Sequence, residues 1–216
     1  MTVFVPAILT PDIQDAKLKL DFLASVSGVT DIHLDIADGV FVPSKTITPR
    51  EIPANPRQLK IEAHMMVNNP SLYFQDLEHA GVRAVIIHYE SFSQLDELIT
   101  TIDNLKTLHL RVGVSINPET GVDVFDKFIS KIDCALLMSV HPGFQGGTFV
   151  PETFERLRDL RLSHKDIMIE IDGGVTLENF DSLMAHGANR LVVGSAIWKS
   201  PDPKQTIVKF LEKLRN

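Results

Sequence analysis

A single cysteine, Cys134, in 216 residues rules out an internal disulfide and any fold that depends on one. That thiol stands among Ile132, Ala135, Leu136 and Leu137, the surroundings of a packed strand residue rather than a nucleophile. Basic clusters are missing as well: 21 Lys and Arg face 28 Asp and Glu, a net charge of −7. Nucleic acid and anionic membrane are therefore excluded as main partners. Anion binding is not, because backbone N–H groups can grip a phosphate without side-chain charge. No apolar run is long enough to span a bilayer. The start, MTVFVPAILTPDI, has neither the basic residues nor the long apolar stretch of a signal peptide. Low-complexity tracts and linker compositions are absent too. What remains, 44% hydrophobic and 23% charged, is the composition of a globular protein. The expectation is one cytoplasmic domain covering residues 1–216.

Short β-like runs alternate with helix-period segments from end to end. Strands are expected near 3–9, 31–36, 60–66, 83–88, 109–115, 132–139, 167–172 and 190–194. Between them, Leu95, Leu98, Ile102 and Leu105 keep to one helix face, as do Ile13, Leu20 and Leu23. Proline in Asn69-Pro70 and Val150-Pro151 suits a first helical turn, and Thr176 is a natural N-cap. Gly81 and Gly187 each follow a helical pattern and precede an apolar run, where a left-handed glycine ends a helix. Strands that are each followed by a mostly helical connection indicate an α/β protein, a single-domain (β/α)8 TIM barrel. An open doubly wound sheet is the structural alternative. The longest irregular connection, 37–58, carries four prolines and reads as either a lid or a rigid loop. Its weakest helical pattern is at 51–59.

In IHLDIADG, His33 and Asp35 are two residues apart, which on a strand puts both on one face with Leu34 and Ile36 on the other. Alone, that pair reads as a salt-bridged or hydrogen-bonded couple. His64 alone reads as a satisfied buried histidine, and Asp172 alone as a turn residue before its glycine pair. Their shared position changes this, since all stand at the downstream ends of expected barrel strands, where the mouth of such a fold carries catalysis. Two imidazoles and two carboxylates form a ligand set for a divalent cation. Two carboxylates on separate strands can also pass protons to and from opposite faces of one carbon.

The stretches PAILTPD, DIHLDIADGVFVP, AHMMVNNP, LLMSVHPGF, EIDGGV and VVGSAIW, in that order from residue 6 to about 198, resemble the motifs of the ribulose-phosphate 3-epimerase family. The resemblance implies a metal-dependent isomerase interconverting D-ribulose 5-phosphate and D-xylulose 5-phosphate through an enediolate. It implies that His33, Asp35, His64 and Asp172 hold one divalent cation (Zn2+, Fe2+, Mn2+ or Co2+), with Asp35 as proton acceptor and Asp172 as proton donor. Thr10 falls where the family touches substrate, and His64, Met66 and Met138 where it lines the mouth. Gly143, Phe144, Gln145, Gly146, Gly173, Gly174, Gly194 and Ser195 match its phosphate grip. A homo-oligomer acting on a small sugar phosphate is implied as well. From the residues alone, DGGV after the seventh strand and GSAI after the eighth stand at the recurrent phosphate site of such barrels. The same glycines equally suit tight turns. PGFQGG after the sixth strand is a candidate mobile closure.

Several positions depart from the family pattern. Ala37 stands for a usual methionine, Val40 for a histidine, Ser44 for an asparagine, Thr10 for a serine, and PGFQGG for PGFGGQ. None removes an implied ligand or acid/base residue, but mouth volume and loop shape decide which sugar fits. A hexulose 6-phosphate of the allulose 6-phosphate type is the alternative substrate. A non-catalytic sugar-phosphate-binding barrel is the alternative of another class. Among other candidates, His88 and Glu90 read as hydrogen-bonding support, Asp38 as a turn residue, and Trp198 as packing. His141 is either a substrate contact or a loop cap. His79, His109, His164 and His186 have no spacing that implies chemistry.

Overall fold

Alternating apolar and amphipathic segments close into a ring. A computed structural model describes residues 2–54, 59–143 and 146–215. Its strands are β1 (Val3–Ile8), β2 (Asp31–Ala37), β3 (Lys60–Met66), β4 (Ala84–His88), β5 (Arg111–Ile116), β6 (Cys134–Met138), β7 (Met168–Asp172) and β8 (Arg190–Val193). All neighbouring pairs are parallel, and β8 pairs with β1 to close the barrel. Around it lie α1 (Ile13–Ser25), α2 (Phe74–His79), α3 (Leu95–Thr107), α4 (Thr153–Ser163), α5 (Phe180–Ala185), α6 (Ser195–Trp198) and α7 (Pro203–Lys213). The (β/α)8 expectation holds. The doubly wound alternative falls because the strand order runs in sequence around a closed circle and never reverses.

Local chemistry sets the helix limits. α1 starts where the Asp12 carboxylate accepts from the Gln14 amide at 2.8 Å. α3 turns Leu98, Ile102 and Leu105 wholly inward, and truncating any one to alanine would cost about 2–5 kcal/mol. Gly81 (φ +67°) and Gly187 (φ +107°) occupy the left-handed positions expected after α2 and α5. His109 does the same after α3 at φ +59° without being glycine. Three helix starts differ from expectation. Asn69 caps a 3-10 turn, Pro70–Tyr73, ahead of α2. Pro151 lies in a turn, and α4 starts two residues later behind Glu152. Thr176 is not the cap of α5: the Asn179 side chain accepts its amide and donates to the Gly174 carbonyl, so that stretch closes a loop first. In the proline-rich connection, Pro49–Glu51 forms a 3-10 turn; positions 55–58 lie outside the described residues.

Strand alternation sends Ile32, Leu34, Val85, Ile87, Val112 and Val114 outward to the helices, where they join the main apolar core. The opposite face carries charge into the bore: Asp31, His33 and Asp35 from β2, Glu62 and His64 from β3, His88 from β4, Glu170 and Asp172 from β7, and Arg190 from β8. Deep in the bore, the Arg190 guanidinium meets Glu170 at 2.5 Å, Asp31 at 3.1 Å and Glu62 at 3.4 Å. Burial opposes its charge, but Glu170 and Glu62 outweigh that and hold its pKa above the ordinary value. An unpartnered buried charge would be worth several kcal/mol of destabilisation. One guanidinium instead serves three carboxylates, and this ionic floor supports the residues above it.

Candidate active site

Strand register assembles the site. β2 and β3 align so that Asp35 stands beside His64 and His33 beside Glu62. β6 fixes β7 with Met138 beside Asp172. His33, Asp35, His64 and Asp172 therefore converge, and one ligand atom of each lies within 4.8 Å of the others. His64 Nδ1 is 3.2 Å from Asp35 Oδ1 and 3.5 Å from Asp172 Oδ2. His33 Nε2 is 3.4 Å and 3.7 Å from the same two oxygens. The backbone beneath them is pinned. Thr46 Oγ1 donates to the Asp35 carbonyl at 2.9 Å and accepts the Ala37 amide, while Ser139 Oγ donates to the Asp172 carbonyl at 2.9 Å.

The electrostatics ask for a cation. Burial alone would depress His33, but Asp35, Glu170, Glu62 and Asp172 hold its pKa well above the usual imidazole value. For His64, burial is likewise outweighed by Asp172 and Asp35, and the pKa rises. Asp35 is buried too, yet the two imidazoles bring its carboxyl down to about 2. The residues draw positive charge, which a divalent ion can supply in place of protons. His33 Nδ1 faces Glu62 at 3.0 Å and Glu170 at 3.2 Å, which keeps the proton there. Its Nε2 is buried, has no hydrogen-bond partner, and is turned toward the aspartates. That orphaned nitrogen, in a mixed N and O donor set, fits a metal. His33, Glu62 and Glu170 form a second group of ligand type, but Arg190 already occupies both glutamates.

His64 is supported from its other side. Its Nε2 is 2.9 Å from Nε2 of His88, whose Nδ1 is 3.4 Å from Glu90. Glu90 in turn accepts from the Asn117 amide at 2.7 Å and Thr120 Oγ1 at 2.5 Å. The supporting role read for His88 and Glu90 agrees with this chain of contacts.

A cleft of about 530 Å³, counted out to its open mouth, adjoins the cluster. Asp35, Met66, Met138, Gly143, Gly146, Asp172, Gly173, Gly174, Gly194 and Ser195 line it. Phe144 and Gln145 lie outside the described residues. Thr10 is not part of that lining; its hydroxyl accepts from the Asp12 amide at 3.2 Å and its carbonyl from the Ile47 amide. Gly173 is required where it stands, since at φ +108° an added Cβ would lie 2.4 Å from a methyl of Val140. Ser44 donates to the Gly143 carbonyl and so ties the loop after β2 to the loop after β6. His141 points away and pairs with Glu119 at 3.0 Å. Trp198 packs edge-on against Phe22 and donates to the Ala7 carbonyl at 2.6 Å.

A family model described as the ribulose-phosphate 3 epimerase family matches residues 4–198. This chain belongs to the ribulose-phosphate 3-epimerase family. It is 33% identical over 220 residues to ribulose-phosphate 3-epimerase of Escherichia coli (strain K12), covering 98% of this chain and 96% of that protein. With the Bacillus subtilis (strain 168) protein of the same name the identity is 34% over 215 residues, covering 96% and 97%. Among solved structures, KGPDC from Streptococcus mutans superposes with a TM-score of 0.75 at 10% identity, covering 99% and 97%. That likeness speaks to the barrel alone. As an enzyme of the ribulose-phosphate 3-epimerase family, the chain is an isomerase. No helix among the described residues is long and apolar enough to cross a membrane.

The sequence motifs do not single out Asp31, Glu62, Glu170 or Arg190. A signal for three of them is present: Asp31, Glu62 and Glu170 each stand two residues before a site residue, on the same strand face as His33, His64 and Asp172. Val140, Val175 and Val192, which also line the epimerase cleft, carry no such signal.

Proposed function

We propose that this epimerase interconverts D-ribulose 5-phosphate and D-xylulose 5-phosphate by two-carboxylate proton transfer at C3. One observation carries the reading. Asp35 and Asp172, from strands on different sides of the barrel, flank the same two imidazoles and both line the glycine-rich cleft. Backbone N–H groups at Gly173, Gly174, Gly194 and Ser195, with the loop bearing Gly143, Phe144, Gln145 and Gly146, receive the phosphate. Met66 and Met138 border the sugar in the cleft, with His64 behind them in the cation-holding cluster. The C3 proton, acidified by the adjacent ketone, passes to Asp35, and the bonding pair moves into a C2–C3 enediolate. Asp172, carrying a proton, delivers it to the opposite face of C3 and inverts the centre. The reverse reaction exchanges the two roles. The imidazoles keep Asp35 ionised over the neutral range, so the base is always available.

A divalent cation held by His33, Asp35, His64 and Asp172, one of Zn2+, Fe2+, Mn2+ or Co2+, would stabilise the negative charge developing on the substrate oxygens. A single good charge-stabilising donor supplies about 3–4 kcal/mol in comparable reactions. One domain across 1–216, a homo-oligomer and a cytoplasmic setting belong to the same reading. A rice relative named as a cytoplasmic isoform supports the last, at 34% identity over 208 residues.

A second reading, a hexulose 6-phosphate as substrate, rests on Ala37. Its small side chain packs among Leu9, Val42 and Met66 at the end of β2, behind the Leu9 and Met66 side of the cleft. Comparing kcat/KM on the two sugar classes decides between them. The chemistry itself is tested by equilibrating ribulose 5-phosphate in heavy water. Deuterium is expected at C3 of both epimers, and full retention of protium through equilibration would overturn the two-carboxylate route.

A further inference from the structure

We infer that Lys199 supplies a side-chain ammonium to the substrate phosphate at the Gly146 and Ser195 end of the cleft. The inference deepens the function proposed above and rests on it. Gly146 comes from the loop after β6 and Ser195 from the start of α6, and both line the cleft. Lys199 is the C-cap of α6, and its amide donates to the Ser195 carbonyl at 3.0 Å. That four-residue spacing puts Lys199 on the same face as Ser195. The side chain then reaches the glycine loop: a Cβ built on Gly146 would lie 2.5 Å from Lys199 Nζ and 3.9 Å from Ser195 Cβ. The ammonium therefore rests against the bare Cα of Gly146. Glycine is favoured there by its φ of +81°, and a Cβ would push the flexible Lys199 end aside.

Charge pairing points the same way. Lys19, Lys60, Lys106, Lys131 and Lys213 each face a carboxylate. The Lys199 side chain, like those of the exposed Lys17, Lys204 and Lys209, has neither an ion pair nor a hydrogen bond among the described residues; what sets Lys199 apart is its place against Gly146 at the cleft. The carboxylates of the cleft, Asp35 and Asp172, are turned to His33 and His64. In a chain with a net charge of −7, a lysine without a carboxylate beside a glycine-lined cleft is a counter-charge for an anion. Backbone amides offer only partial charges to a dianion, and an ammonium adds a full charge with three donors. Lys199 is otherwise exposed, so its attraction is screened by salt.

Lys199→Met, Lys199→Arg and the unchanged enzyme are compared for kcat, KM and competitive inhibition by inorganic phosphate, at low and high ionic strength. The expected result for Lys199→Met is a rise of about fivefold in both KM and the phosphate inhibition constant at low salt. The gap is expected to shrink at high salt, with kcat retained and Lys199→Arg close to the parent. Thermal melting confirms that each variant is folded. An active, phosphate-inhibited parent whose Lys199→Met variant keeps the same KM and inhibition constant overturns the role of Lys199 alone. A parent enzyme that inorganic phosphate does not inhibit and that turns over no sugar phosphate overturns the phosphate cleft, and Lys199 with it.

Discussion

The Nε2 atoms of His64 and His88 lie 2.9 Å apart. Two ring nitrogens at that distance share one proton, so one donates and the other accepts. Burial brings the pKa of His88 down to about 4, which leaves that ring neutral. Its single proton belongs on Nδ1, toward Glu90. His88 Nε2 is then the acceptor and His64 Nε2–H the donor, so that displacing the proton the aspartates favour on His64 Nδ1 frees its lone pair toward Asp35 and Asp172. A glutamate one layer removed thus sets which nitrogen of His64 faces the aspartates.

His88→Leu removes that acceptor. Metal affinity is expected to fall about 10–100-fold, measured by competition with a chelator, with the fold followed by circular dichroism. An unchanged affinity in a folded variant would show that His64 needs no partner.

Asp35→Asn and Asp172→Asn keep shape and lose the proton-carrying group. Each is expected to lower kcat by about 10²–10⁴-fold while the urea midpoint stays within reach of the parent. Near-normal turnover in either variant would remove the role assigned to that residue.

Arg190→Met strands Glu170, Glu62 and Asp31 in the bore. The expected loss is about 3–5 kcal/mol of stability, read from urea unfolding. Neutralising Glu170 in the same chain, as Arg190→Met with Glu170→Gln, is expected to restore part of it. Independent, additive losses would show that the two side chains do not act as a pair.

The imidazoles give the metal-free protein a pH dependence of definite sign. His33 and His64 have native pKa values raised above 6.5, so their contribution to stability is full below about pH 6.5 and fades as pH climbs through the raised values. Metal affinity runs the other way, because the ion displaces those protons. Calorimetry in buffers of different ionisation enthalpy is expected to show proton release on metal binding near neutral pH. Binding without release would mean that the ion sits elsewhere.

Much of the barrel is legible in the sequence because strand alternation is written in residue type, and the four converging residues fall on the inward face of their strands. Boundaries are less so. The run near 109–115 pairs only from Arg111, since His109 still ends α3 in a left-handed turn. Ile132 belongs to the core without joining β6. Thr176 has the chemistry of a cap, but Asn179 has the position. Contacts across the bore escape a linear reading altogether. Arg190 meets Glu62 only once the ring has closed, and nothing in the spacing of Gly146 and Lys199 announces their approach. Ring-nitrogen orientation at His33 and His64 is likewise a property of neighbours brought by other strands.

Every strand of the barrel has a partner on both sides. Among the described residues the barrel leaves no open strand edge for another chain to extend. Any contact with a second copy would fall on the outer helices and loops, where apolar side chains such as Leu18 and Leu162 face solvent. Substitution on that outer surface leaves the strand-borne residues at the barrel mouth untouched.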